Sequence, residues 1–201
     1  MSERPRVIIF SGFLGSGKTT LLVRLIEHLR SKHGEGCRIV IIENEIGSAS
    51  VDSSIIREAG YSVTEMLSGC VCCTLIGQLV PAIEKLIEEM NPRLIFLEVT
   101  GLATPDTVAD NIRKYAGCDA RIVTLVDASR WERIIIALSM LLEAQLEPAD
   151  VICINKVDLV DNARVAEIEE DIRAKNASAA IVHANALDPI SASDLDLIVG
   201  E

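Results

Sequence analysis

Short aliphatic and β-branched runs punctuate the chain at 7–10, 38–42, 94–97, 122–126, 151–154 and 180–182. Almost every position in them is apolar, which is the pattern of strands covered on both faces and not of strands with one side in water. Between the runs, apolar residues recur at spacings of three and four. Leu22, Leu25, Ile26 and Leu29 mark a helix over 19–32, and similar periodicity predicts helices over 78–90, 107–115, 130–146 and 165–175. Strands that alternate with helices make right-handed crossovers between parallel neighbours. The pattern therefore predicts an α/β domain of three layers, built on a doubly wound, mostly parallel sheet.

The least regular stretch is 43–68, where polar and small residues dominate and only 62–67 alternates weakly, as a short strand would. Long connections inside compact domains are often functional, so a switch or binding loop is one reading and a surface excursion the other. No internal repeat and no low-complexity linker interrupts the chain.

Composition narrows the class. With 201 residues, 49% hydrophobic and 24% charged, the chain reads as one globular domain over 1–201. Nineteen Lys and Arg against thirty Asp and Glu give a net charge of −11, which disfavours nucleic acid and anionic membrane surfaces as partners. The strongest apolar stretch, 134–142, falls short of the roughly 18–20 residues that span a bilayer. The first residues are charged and lack a signal-peptide pattern, so a cytoplasmic location is expected. Of six cysteines, Cys70, Cys72 and Cys73 cluster while Cys37, Cys118 and Cys153 are scattered through apolar segments. In a reducing compartment the cluster reads as metal-binding or reactive thiols.

The first predicted strand runs into Gly12-Phe13-Leu14-Gly15-Ser16-Gly17-Lys18-Thr19, and the first helix follows. This fits G-x-x-x-x-G-K-[ST], with the strand and helix that the motif requires on either side, and places the fold with the P-loop NTPases. Gly12, Gly15 and Gly17 let the backbone wrap around phosphates so that N–H groups and the positive end of the helix face the anion, with Ser16 inside the same loop. Lys18 then reaches the terminal phosphates, Thr19 offers a hydroxyl to Mg²⁺ and Thr20 faces an inner phosphate.

Downstream, Asn155-Lys156-Val157-Asp158 follows another predicted strand, at the edge where open α/β sheets bind ligands. The Asp158 carboxylate can accept from the ring N–H and exocyclic amine of guanine, a donor pair that adenine lacks. GTP and GDP are therefore the expected nucleotides. Cys70-Val71-Cys72-Cys73 places three soft ligands in one loop, which Gly69 allows to turn. Such thiolates favour Zn²⁺ or Cu⁺ and, less selectively, Co²⁺ or Ni²⁺, and three ligands leave a tetrahedral site open for exchange. Packing cysteines or a redox pair are the alternatives.

In this combination and order, the chain resembles the CobW/HypB/UreG family of P-loop GTPases, and its CobW-like members in particular, from Val7 to about Ser191. The resemblance implies a GTPase acting as metallochaperone or metal-insertase for a client metalloprotein or corrinoid-dependent protein, with slow intrinsic hydrolysis. It also implies residue roles. Glu98-Val99-Thr100-Gly101 is similar to the family's Walker-B-type Glu and Gly, with Glu98 near Mg²⁺ or the attacking water and Gly101 near the γ-phosphate. Asn44-Glu45-Ile46-Gly47 with Asp52 resembles the first switch, Asp52 sensing Mg²⁺ or water and Glu45 adding a ligand to the transferred metal. Asp127 resembles the family's Val-Asp-Ala aspartate, and Asn185 with Ala186 is placed toward the base.

Departures accompany the likeness. Ser48 stands where many CobW-like proteins carry a further acid, these 201 residues hold no histidine-rich stretch, and the chain is expected to lack the family's usual C-terminal domain. His28, His33 and His183 read as surface or packing residues. Client recognition is then expected from another polypeptide, a homodimer surface or the switch loops. A nucleotide-gated adaptor or activator of a cobalamin- or metal-dependent enzyme is the competing reading. A small-molecule kinase is disfavoured because Asn155-Lys156-Val157-Asp158 would have no role in it.

Overall fold

A computed structural model describes residues 4–34, 37–43, 62–65, 74–99, 104–185 and 188–201. The strands are β1 (Arg6–Ser11), β2 (Ile39–Glu43), β3 (Ser62–Glu65), β4 (Leu94–Glu98), β5 (Ala120–Asp127), β6 (Val151–Asn155) and β7 (Ala180–Ala184). They form one sheet in the order β3-β2-β4-β1-β5-β6-β7, and every pairing is parallel. Among the described residues the helices are α1 (Lys18–His33), α2 (Thr74–Met90), α3 (Pro105–Asn111), α4 (Trp131–Ala137), α5 (Ser139–Leu146), α6 (Asn162–Lys175) and α7 (Ala192–Val199).

The continuous apolar runs follow from the layers. Ile8 and Phe10 of β1 face Leu21, Leu22, Leu25, Ile26 and Leu29 of α1, with Ile198 and Val199 of α7 completing that side. Val7 and Ile9 face the opposite side, which Leu79 and Ile83 of α2, Val108 of α3, Leu142 and Leu146 of α5 and Ile168 of α6 cover. A strand buried on both sides leaves little room for polar residues before its end; in β5 the buried Thr124 is accommodated because its hydroxyl donates to the Gln145 carbonyl at 2.8 Å. Each of the apolar side chains contributes about 1.5–3 kcal/mol by leaving water.

Sequence periodicity and structure differ at five places, one of them the start of α2, expected at 78 and found at Thr74. The helix expected over 130–146 is two helices after a 3₁₀ turn at Ala128–Arg130, broken at Leu138 with φ −136° and ψ 31°. Three consecutive isoleucines (134–136) have low helix propensity, and Ile136 and Met140 on either side of the break are exposed. The helix expected over 107–115 begins at Pro105, where a missing N–H costs nothing, and widens into a π-turn at Ile112–Ala116 before Gly117. Asp161 caps α6 by accepting from the Arg164 N–H at 2.8 Å and starts it earlier than 165. Helix α7 was not expected at all, although Ser191 accepts from the Asp194 N–H at 3.1 Å as an S-x-x-D sequence would announce.

The C-terminal end of α7 is fixed at the N-terminal edge of the sheet. Arg6 donates to the carbonyls of Val199 and Gly200 at 3.1 and 2.7 Å, and Arg121 to those of Ile198 and Leu197 at 3.1 and 2.9 Å. Glu201 accepts from His33 at 2.9 Å and Arg93 at 2.7 Å, beside Lys32 at 3.1 Å. The predicted nucleotide-site residues that the structure describes lie at the other edge, where β1, β4, β5 and β6 end.

Candidate nucleotide site

Strand β1 ends at Ser11, and the chain turns through Gly12 with φ +129° and reaches α1 through Gly17 with φ +101°. These left-handed conformations are ones that an L side chain adopts only with strain. Space forbids a side chain there as well. A Cβ on Gly12 would collide with the Leu125 carbonyl, and one on Gly17 with the Asn155 side-chain amide.

The loop between them is held from outside by its carbonyls. Arg130 Nη2 donates to Leu14 O, Lys156 Nζ to Gly15 O and Asn155 Nδ2 to Ser16 O, each at 2.7 Å. From within, Lys18 Nζ donates to Gly12 O at 3.1 Å. The negative ends of four peptide dipoles are thereby fixed on protein donors. Helix α1, sixteen residues long, carries no acidic residue in its first turn and no side-chain cap. Its positive end is left for an external anion. The Ser16 hydroxyl lies buried in the curl of the loop, with no hydrogen-bond partner among the described residues and 3.0 Å from where a Gly12 Cβ would be. A buried hydroxyl of this kind costs about 1–3 kcal/mol unless a ligand satisfies it.

Lys18 is almost wholly buried, and its ammonium lies 3.4 Å from Glu98 Oε1. Register explains the meeting: Phe10 pairs with Glu98, so β4 ends level with the start of the loop. Thr19 and Thr20 follow in the first turn of α1, partly buried. Glu98 and Thr19 are hard oxygen donors, a set that suits Mg²⁺ and not a soft metal.

Asp127 ends β5 opposite Asn155 of β6 and is 1% exposed. Its Oδ2 accepts from Lys156 Nζ and Arg130 Nε at 2.7 Å each, and its Oδ1 from the Ser129 N–H at 3.1 Å and hydroxyl at 2.6 Å. Burial pushes this carboxyl up, but the donors from Lys156, Ser129 and Arg130 outweigh it and hold it below the usual range. Lys156 has φ +60°, a conformation rare for lysine that turns the chain at the strand end. Asp158, two residues on in the 3₁₀ turn Val157–Leu159, is exposed at the same edge.

Asn155 and Lys156 therefore grip the loop itself, and Asp158 alone of the three projects from this edge into solvent. Asn185 Nδ2 donates to Asp188 Oδ2 at 2.8 Å. Arg130 was not anticipated; the only signal was its position three residues after Asp127 in a strand-ending turn. Glu45, Asp52, Cys70, Cys72, Cys73, Gly101 and Ala186 lie outside the described residues. Among the described residues no group of three or more His, Cys, Asp and Glu could hold a metal, and no helix is long and apolar enough to cross a membrane. His28, His33 and His183 meet Asp196, Glu201 and Glu169 at 2.7, 2.9 and 2.9 Å, at the sheet's far edge or on α6. Cys118 and Cys153 are buried, and burial pushes the Cys153 thiol up to about 12, far from a reactive thiolate.

A glycine loop between a central parallel strand and a helix, with a buried lysine and a strand-ending acid, defines a P-loop nucleotide-binding domain. Residues 6–183 match the model of the CobW/HypB/UreG nucleotide-binding domain, and the chain belongs to that family. It is 31% identical to the zinc-regulated GTPase metalloprotein activator 1 of Dictyostelium discoideum, over 94% of this chain and 47% of that protein. It is 30% identical to the zinc chaperone CobW of a Sinorhizobium species, over 83% of this chain and 55% of that protein. The chain thus spans about half the length of these curated relatives. Its fold is also that of the hydrogenase maturation factor HypB from Archaeoglobus fulgidus, with a TM-score of 0.70 and 21% identity over 98% of this chain and 89% of that one. The Zn(II)-bound YjiA GTPase of E. coli superposes with a TM-score of 0.68 and 20% identity, over 98% of this chain and 63% of that one.

Proposed function

We propose that this chain binds GTP with Mg²⁺, hydrolyses it, and couples the nucleotide state to a transition metal held at Cys70, Cys72 and Cys73 for delivery to a client metalloprotein. The observation that carries the nucleotide part is the loop 12–17, whose carbonyls are tied to flanking donors around the orphan Ser16 hydroxyl. The names of relatives as a zinc chaperone and as a zinc-regulated GTPase metalloprotein activator support the metal part and put Zn²⁺ first; Co²⁺ and Ni²⁺ are the alternatives that thiolate ligands also accept.

In this reading the phosphates rest on the N–H groups of the loop and the first turn of α1, with the Ser16 and Thr20 hydroxyls donating to them. Lys18 gives its charge to the terminal phosphates, where negative charge develops on transfer. Thr19 and Glu98, with Asp52, would hold Mg²⁺, which neutralises phosphate charge when bound. Glu98 also keeps Lys18 in place across 3.4 Å and, with Asp52, orients the attacking water, while Gly101 leaves room for the γ-phosphate. Asp158 reads guanine, with Asn185 and Ala186 beside the base. Arg130 and Lys156, the two cations at the loop tip, are both engaged by Asp127 and loop carbonyls, which is consistent with slow turnover until a partner or second subunit assists.

A phosphate-ordered segment 44–52 that also reshapes the cysteine loop would make metal affinity differ between GTP and GDP states. By linkage the metal would change GTP affinity by the same factor, typically 1–3 kcal/mol for such couplings. Anaerobic titration of Zn²⁺, Co²⁺ and Ni²⁺ into apo, GTP-bound and GDP-bound protein tests this. One tight equivalent is expected, with a state-dependent affinity that serine at all three cysteine positions abolishes while guanine nucleotide binding persists. Equal affinities in all three states would separate the two sites, and absence of a tight metal site would favour the adaptor.

A further inference from the structure

Asp127 is a buried carboxylate with two cations on one oxygen, and each cation also reaches the phosphate loop. Lys156 passes from Asp127 Oδ2 to Gly15 O, and Arg130 passes from the same oxygen, through Nε, to Leu14 O through Nη2. Gly15 lies under the guanidinium, so that a Cβ there would stand 3.3 Å from Arg130 Nη2. The contact spans 116 residues of sequence and comes from a residue outside both nucleotide motifs.

A trans peptide points its C=O and its N–H to opposite sides. Drawing the Leu14 carbonyl to Arg130 therefore turns the Gly15 N–H the other way, into the curl of the loop. Asn155 does the same for the Gly17 N–H through the Ser16 carbonyl. The intervening Ser16 N–H is used by the Phe13 carbonyl at 3.1 Å. Two positive side chains on one carboxylate also leave an excess positive charge at the loop tip of a chain whose net charge is −11.

We propose that Arg130 is a positioning residue for triphosphate and diphosphate binding: it bridges Asp127 to Leu14 O and presets the Gly15 N–H toward the phosphates. This rests on the nucleotide-binding reading above and adds a residue to it. Preorganisation removes an ordering cost from binding, and its loss is felt mainly in the rate of release. A lysine at 130 keeps the charge but has one nitrogen where the guanidinium uses two, so it restores the bridge in part.

The test is stopped-flow kinetics with fluorescent GDP and a slowly hydrolysed GTP analogue, on wild type, Arg130→Ala, Arg130→Lys and Arg133→Ala. Arg133 is exposed on the next turn and supplies a control for loss of one positive charge. Arg130→Ala is expected to release both nucleotides about tenfold faster, with Arg130→Lys intermediate and Arg133→Ala like wild type. The preference for GTP over XTP should not change, because the hydrogen bonds of Arg130 go to Asp127 and the Leu14 carbonyl and not to Asp158; a general loss of structure would lower both base discrimination and the melting temperature. Release rates for Arg130→Ala within twofold of wild type, or an equal effect from Arg133→Ala, overturn the proposal while the nucleotide reading stands. A wild type that binds no guanine nucleotide overturns that reading and the inference with it.

Discussion

The Asn155 side-chain amide donates to the Ser16 carbonyl at 2.7 Å across 139 residues of sequence, and a Cβ on Gly17 would fall on that same amide. The end of β6 and the start of α1 are thus fitted to each other before any base is read. Asn155→Ala leaves the Ser16 carbonyl buried without this donor, a loss of about 1–3 kcal/mol. Its expected outcome is a lower melting temperature together with weaker binding of GTP and GDP alike. Calorimetry of the apo protein beside nucleotide titration checks both, and an unchanged apo stability would place Asn155 on the base alone.

How much of this was legible depends on whether a feature is written locally. The strands were, because burial on both faces leaves Val7-Ile8-Ile9-Phe10 no polar position, and so was the loop, because Gly12 and Gly17 have no substitute at φ +129° and +101°. The break at Leu138 was not, since the apolar run 134–142 suits a continuous helix and only the cover over the sheet decides which part is buried. The contact that Arg130 makes with the loop was illegible for a different reason. Its partner at Leu14 is a main-chain carbonyl, and no side-chain pattern encodes a backbone acceptor distant in sequence.

Glu201 supplies a pH dependence that is independent of nucleotide. Burial pushes its carboxyl up, yet donors from His33, Lys32 and Arg93 prevail and hold it down to about 2 from the ordinary 4.5. A depressed acid stabilises the folded state above its unfolded-state pKa, and the contribution is lost as pH falls through the folded value. The melting-temperature gap between wild type and Glu201→Gln should accordingly be widest above pH about 5 and close as pH falls from about 4.5 toward 2. A gap that stays constant over that range would show that the carboxylate charge plays no part.

Asp158 is exposed in its 3₁₀ turn, while its neighbours Asn155 and Lys156 are committed to the loop. Its substitution should therefore change which base is bound without loosening the phosphate cradle. Asp158→Asn replaces an acceptor pair by one acceptor and one donor, which suits the extra carbonyl of xanthine. Competition binding is expected to show GTP weakened by tenfold or more, for a change of at least about 1.4 kcal/mol, and XTP strengthened. Equal wild-type affinity for ATP and GTP would sink the base assignment.

Glu98 and Lys18 face each other at 3.4 Å at the ends of β4 and the loop, with Lys18 also held by the Gly12 carbonyl at 3.1 Å. The two substitutions should fail differently. Lys18→Ala removes the buried cation proposed for the terminal phosphates, in the ground state and the transition state alike, so nucleotide binding and turnover should fall together. Glu98→Gln keeps the side chain's size and one carbonyl oxygen but removes the charge that would hold Mg²⁺ and orient water. Its expected signature is a kcat lowered by about ten- to a hundredfold at saturating GTP, with nucleotide affinity changed only slightly. Single-turnover hydrolysis and equilibrium binding on the same preparation separate these terms. Should affinity collapse in Glu98→Gln while saturated turnover stays normal, the carboxylate serves ground-state binding, through its contact with Lys18, and the water is oriented by another group.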